Sequence, residues 1–271
     1  MYKIYKFANR EVFILKNNRY LNIKGMSLNK EQLQSLMEKM AVNYEISRNS
    51  SIETYPINRL NNNFKFIQKT YNILNEHIKQ NITIYPAGEW LLDNFYIIEE
   101  TVKSIKNELT EKKYKNFQGI SNGLYKGFAR IYVIATEMVA YTDNKIDEDT
   151  LENCLLAYEH KKTLGMEEIW NLPIFLELAI IENIRSVCEK IYISQIQKYK
   201  VEEIVERLIE KKEASKQQYK KIRENTKMYR NSSYPFIEYI SYKLKKYGKN
   251  GNIYLNILEE QVNKLGITVS D

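Results

Sequence analysis

The sequence predicts an all-α protein, an irregular antiparallel multi-helix domain with a small N-terminal β-hairpin. Three observations carry this. Only four Pro and nine Gly occur in 271 residues, too few for the many turns of a sheet-rich fold. Hydrophobic residues make up 44% of the chain, enough to build a core and to exclude a disordered chain. Apolar residues also recur at i, i+3, i+4 and i+7 through most of the length, the period of a helix with one buried face.

Residues 1–27 form an N-terminal extension that differs from the rest. Val12–Lys16 and Arg19–Ile23 are β-prone and joined by Asn17-Asn18. Asn tolerates positive φ, so a two-residue hairpin turn is expected there. Residues 28–271 read as one helical domain. The first helix, Leu28–Glu45, carries Leu33, Leu36, Met37 and Met40 on one face, with Ser27 or Asn29 as its cap. A polar connector ends at Pro56, and Arg59–Gln80 follows with Leu60, Phe64, Ile67, Tyr71 and Leu74 in register.

Pro86 suits the first turn of a helix that runs to about Leu109, because its missing N–H has no partner to lose there. Gly119–Gly127 reads as a loop. It lacks the G-K-[ST] ending and the preceding strand of a phosphate-binding loop. Phe128–Tyr141 is helical, and Asp147 caps Glu148–Glu159. Glu167–Tyr192 is apolar nearly all round between Ile174 and Ile181, as a central helix must be, and Pro173 should kink or divide it. Val201–Tyr229, Pro235–Tyr247 and Ile253–Leu265 complete the set, with Gly248 and Gly251 as stops.

Composition also excludes several functions. Cys154 and Cys188 are the only cysteines, so a disulfide framework is not expected and a reducing compartment is. His77 and His160 are the only histidines and are expected at the surface; no metal or cofactor is expected. No signal peptide and no apolar run long enough to span a membrane are read. The net charge is +7, and its excess is local: residues 189–249 hold 16 Lys and Arg against 8 Asp and Glu. A solvated helix face accounts for this segment, and nucleic acid is not the expected partner.

Three groups could carry chemistry. Glu89 and Asp93 are i, i+4 on one helix, beside Trp90 and Asn94. Paired carboxylates with an aromatic ring suit a sugar site; two acids in the first turns of a helix also simply complement its dipole. Arg130 and Glu137 lie two turns apart, and Glu182 and Arg185 follow the most apolar stretch. Charges in such surroundings need partners. A buried polar network of Arg130, Glu137, Glu182 and Arg185 is therefore expected. At least one Arg–Glu contact should link the 128–141 and 167–192 helices. No catalytic triad can be assembled.

The segments Pro86–Glu100, Arg130-Ile-Tyr132, Glu137–Asp143, Glu168–Ile174 and Ile181–Arg185 resemble, in the same order, the N-terminal helical region of cyclic β-1,2-glucan synthases. The resemblance covers roughly residues 28–271 and departs at Gly88 and Tyr141, where Ala and His are more familiar. It implies a multi-domain membrane glycosyltransferase that uses UDP-glucose. This chain would be its segment ahead of the first membrane span: a non-catalytic accessory or docking domain on the cytoplasmic side. Its implied partners are the transferase and membrane domains of the same parent protein. The alternative is a carbohydrate-active or glucan-binding domain that uses Glu89, Asp93 and Glu137.

Overall fold

The computed structural model describes residues 27–47, 55–142, 145–210 and 233–263. The hairpin expected within residues 1–27 lies outside the described residues, as does the helix expected over 211–229. The chain divides into two compact units, residues 1–72 with 86–189 and residues 73–85 with 190–271. Among the described residues the fold is almost wholly helical, and its one sheet has two strands.

In the first unit, α1 (Lys30–Asn43) begins at Asn29. Its side chain accepts from the Gln32 amide at 2.9 Å while Gln32 accepts back from the Asn29 amide at 3.1 Å. This capping box decides between the two expected caps. After α1, the two-residue strand β1 (Ile46–Ser47) pairs antiparallel with β2 (Gly119–Ile120), Ile46 facing Ile120. The Gly119–Gly127 segment is thus partly strand. Gly123, at φ 68°, turns the chain where an added Cβ would stand 3.1 Å from the Tyr44 ring.

Helix α2 (Pro56–Lys79) starts at Pro56, and α3 (Pro86–Glu108) starts at Pro86 as the proline rule requires. A short helix, α4 (Glu111–Lys115), was not legible in the sequence. Its Tyr114 is fully buried and packs with Phe117, Tyr132 and Phe175 around one aromatic centre. Helix α5 (Arg130–Tyr141) is buried along most of its length. Helix α6 (Glu148–Glu159) is capped by Asp147, whose carboxylate accepts from the Thr150 amide at 2.7 Å. Hydrogen bonds from the Thr150 hydroxyl and then its amide hold the Asp147 carboxyl below its usual range. Leu33, Met37, Met40, Val133, Met138, Cys154 and Tyr158 join α1, α5 and α6 in one core.

Helix α7 (Met166–Glu210) corrects the expected division. Pro173 lies inside it, and the helix also runs unbroken through residues 193–200. Those eight residues contain no Gly or Pro, and Gln195, Gln197, Lys198 and Lys200 are buried there. Packing holds a stretch that its polar composition suggested as a break.

The second unit is built from the end of α2, the end of α7, α8 (Ser233–Lys245) and α9 (Lys249–Asn263). Val201, Val205, Ile237, Ile240, Leu244, Tyr254, Leu255 and Leu258 form its core. Gly248, at φ 54°, reverses the chain between α8 and α9. Gly251 is not a helix stop but sits inside α9. A Cβ at this position would come within 1.9 Å of the Leu244 carbonyl oxygen, so only glycine allows the two helices to meet there.

Candidate functional site

The first group lies on the first turns of α3. Gly88, Leu91 and Ile98 are buried, and Phe95 stacks on Tyr71 with ring centroids 4.1 Å apart. The opposite face is left to solvent. Trp90 is 53% exposed, Glu89 and Asp93 are exposed, and Asn94 turns back to donate to the Trp90 carbonyl at 2.8 Å. The carboxylates therefore stand in water beside an accessible ring.

The second group is interior. Arg130 forks onto Glu168: Nε donates to Oε1 at 2.7 Å and Nη2 to Oε2 at 2.5 Å. Nη2 also donates to the Thr163 carbonyl at 2.9 Å, and Glu168 Oε2 accepts from the Gly165 amide at 2.8 Å. Both side chains are almost fully buried. Burial works against the Arg130 charge, but the Glu168 carboxylate outweighs it and keeps the guanidinium protonated. Tyr158 lies in the same cluster, its hydroxyl bonded to Arg130.

Glu182 occupies a second interior centre. Arg59 Nη2 donates to its Oε2 at 3.0 Å, Arg59 Nε stands 2.7 Å from Oε1, and the buried Tyr132 hydroxyl donates to Oε1. Burial raises the Glu182 carboxyl above its usual range; Arg59 and Tyr132 oppose that rise. Arg185 donates to Glu189 at 2.6 Å and lies over the Phe66 ring, 4.6 Å from its centroid. Glu137 is half-buried and accepts from the Tyr125 hydroxyl. Tyr125 in turn packs on Tyr44 at 5.5 Å.

Arg130 and Glu182 thus find their direct partners in Glu168 and Arg59, while the Arg185 charge still acts on Glu182 and lowers its carboxyl. An Arg–Glu pair does join α5 to α7, through Glu168. Arg59, Glu168, Tyr132 and Tyr158 were not foreseen as the partners. Arg59 and Phe66 are seven apart on α2, a spacing that marks one helix face.

The second unit holds a different cluster. Lys198 is buried, donates to the Thr83 carbonyl at 3.2 Å and lies 3.5 Å from the centroid of the Tyr85 ring. Tyr239 is 5.3 Å away and donates its hydroxyl to Glu202 at 2.5 Å, and Lys243 pairs with the same carboxylate at 2.6 Å. Burial lowers the Lys198 ammonium below its usual range, Glu202 offsets part of this, and Lys243 adds to it. His77 was expected at the surface but is buried. It stacks on Tyr199 at 5.8 Å and lies 3.5 Å from Gln195, and burial and Lys198 hold its proton affinity down. The polar neighbours Asn75, Glu76, Lys79 and Gln80 read as an exposed face, whereas Gln195 and Tyr199 of α7 pack on the ring.

Among the described residues, no group of three or more His, Cys, Asp or Glu side chains is placed to hold a metal ion. No helix among them is long and apolar enough to cross a membrane.

No family model matches the chain. Over 148 residues it is similar to one curated protein. The chain is 26% identical there to the cyclic beta-(1,2)-glucan synthase NdvB of Rhizobium meliloti (strain 1021), across 54% of its own length. The relationship is distant and partial. The chain spans only 5% of the length of that relative. The motif resemblance at residues 86–100 and 168–185 points to the same kind of protein.

Proposed function

We propose that this chain is an accessory docking domain of a cyclic β-1,2-glucan synthase-like glycosyltransferase, itself non-catalytic. Its partners would be the transferase and membrane domains of the same parent protein, at the inner face of the plasma membrane. The similarity to the Rhizobium meliloti synthase supports a role in glucan synthesis. The observation that carries the docking reading is the division of labour among the motif residues. Arg130, Glu168 and Glu182 are tied into interior pairs that fix helix register. Trp90 and Trp170, the only tryptophans, are 53% and 74% exposed. Each offers a large amphipathic ring of the kind enriched at protein–protein contacts.

The test is to incubate the purified chain with UDP-glucose and, separately, with the transferase portion of the parent protein. The reading expects no UDP-glucose turnover and a stoichiometric complex weakened by Trp170→Ala. Turnover by this chain alone would overturn it.

One observation favours a second reading, glucan binding at α3. Trp90 offers an open ring with Glu89 and Asp93 beside it, as a sugar face and its hydroxyls require. Calorimetric titration with β-1,2-gluco-oligosaccharides would then show binding that Trp90→Ala abolishes.

A further inference from the structure

The solvent face of α3 is more than one tryptophan. Tyr96 and Ile97 are 62% and 46% exposed, and Trp90 and Ile97, seven residues apart, lie on one stripe. The stripe is rimmed by Glu89, Asp93 and Glu100, all exposed. Among the described residues no cation pairs with these three acids, although the chain carries a net charge of +7. A patch of this kind, apolar in the middle and charged at the edge, has the composition of an interface.

The charge that would complement it is present in the same chain. Between Tyr239 and Leu258 there is no Asp or Glu. Lys245, Lys246 and Lys249 are exposed around the glycine turn that ends α8. Tyr242 and Tyr247 are exposed beside them, and Lys246 lies over the Tyr242 ring at 4.6 Å. Among the described residues no carboxylate pairs with Lys245, Lys246 or Lys249. Each of the two patches thus combines open aromatic rings with three charges that no described residue compensates, and the signs are opposite.

We infer that the α3 face of one copy docks the lysine-rich turn after α8 of a second copy of this chain. Trp90, Tyr96 and Ile97 meet Tyr242 and Tyr247, and the acids meet the lysines around them. The two patches differ, so the contact is heterologous: each copy uses both once, and association runs head to tail. Opposed surface charges attract over roughly the Debye length, about 8–10 Å near physiological salt, so the assembly is salt-sensitive. This inference takes Trp90 for the contact between copies and leaves Trp170 as the open tryptophan of the docking role, so different variants test the two.

Sedimentation of the full chain tests it. At about 50 mM salt the weight-average mass should climb with concentration above the 32.3 kDa of one chain, and at about 500 mM it should fall back. Two charge-reversed proteins are then made, E89K/D93K and K245E/K246E; all four positions are exposed, so helicity by circular dichroism should not change. Each alone should weaken association at least tenfold. Mixed together they should associate again, because each reversed patch meets a patch of opposite sign. A chain that stays at 32.3 kDa at low salt overturns the inference. So does association that either reversal leaves unchanged, or a mixture that fails to reassemble.

Discussion

The two units bury cations of different kinds. In the first they are arginines: Arg130 forks onto Glu168, and Arg185 meets Glu189 and the Phe66 ring. In the second they are lysines, Lys198 and Lys200, both held below the usual lysine range by burial. A guanidinium keeps its proton and matches a carboxylate atom for atom. An ammonium is a compact, strongly hydrated charge that gives up its proton more readily when water is removed. The fully buried cations of the first unit therefore keep their charge at any ordinary pH, although its partly buried Lys69 is also lowered by burial, whereas the fully buried cations of the second unit can lose theirs.

The largest effect should come from breaking the Arg130 pair. Glu168→Ala leaves a buried guanidinium without its carboxylate and should destabilise the first unit by about 3–5 kcal/mol. Both tryptophans lie in that unit, so urea denaturation followed by their fluorescence reads it directly. The paired replacement Arg130→Met with Glu168→Leu should recover most of the loss, because it removes both charges. A loss below about 1 kcal/mol for Glu168→Ala would break the contrast between the units.

Gly251→Ala should act on the second unit alone. The added methyl meets the Leu244 carbonyl, and the helices must part at a loss of about 1–3 kcal/mol. Amide hydrogen exchange should quicken in α8 and α9. Tyr132→Phe is a smaller change, removing one interior donor to Glu182 for about 1–2 kcal/mol.

The pH response sharpens the comparison further. The His77 folded-state pKa is depressed, so protonation favours the unfolded chain. Stability of the second unit is full above about pH 6.5, where both states are neutral, and falls as pH drops below it. His77→Gln should flatten that slope, seen as protection factors in α8 that no longer fall between pH 7 and about pH 5. Lys198 works in the same sense at alkaline pH. Its depressed folded pKa makes stability rise with pH toward about 10, where Tyr85 and Tyr239, raised by burial, begin to oppose the trend. Lys198→Met should change stability by less than about 1 kcal/mol, since it removes a disfavoured charge but also a donor to Thr83.

Helix spacing made much of this legible. The starts at Pro86 and Glu148 follow from proline and capping chemistry, whereas the helix read from Arg59 begins three residues earlier at Pro56, and the period-3.6 stripes placed Leu33, Leu91 and Ile98 inside. The same reasoning placed Arg130, Glu182 and Arg185 on interior faces, because a charged residue among isoleucines must be satisfied. Periodicity fixes a face but not the neighbour across from it. Glu168 rather than Glu182 therefore meets Arg130, and Arg59 reaches Glu182 across 123 residues of sequence. The strand pair was illegible for the same reason: two residues carry no period, and the partner strand lies far along the sequence. The continuity of α7 was hidden by a polar run that is buried only because the second unit closes on it.

The two cysteines report on any such opening. Cys154 and Cys188 are both buried in the first unit, and burial pushes their thiols up to about 11 and about 12. Hardly any thiolate exists at neutral pH, and an alkylating reagent has no path to either sulfur while the core is shut. Labelling of the native chain then runs at the pace of spontaneous opening, and each sulfur times its own neighbourhood: Cys154 the contact of α6 with α1, Cys188 the middle of α7. The untagged protein carries two stopwatches for its own breathing, started by adding reagent and read by mass. Crosslinking through sulfur is closed to the folded molecule for the same reason, so copies that associate do so without covalent help.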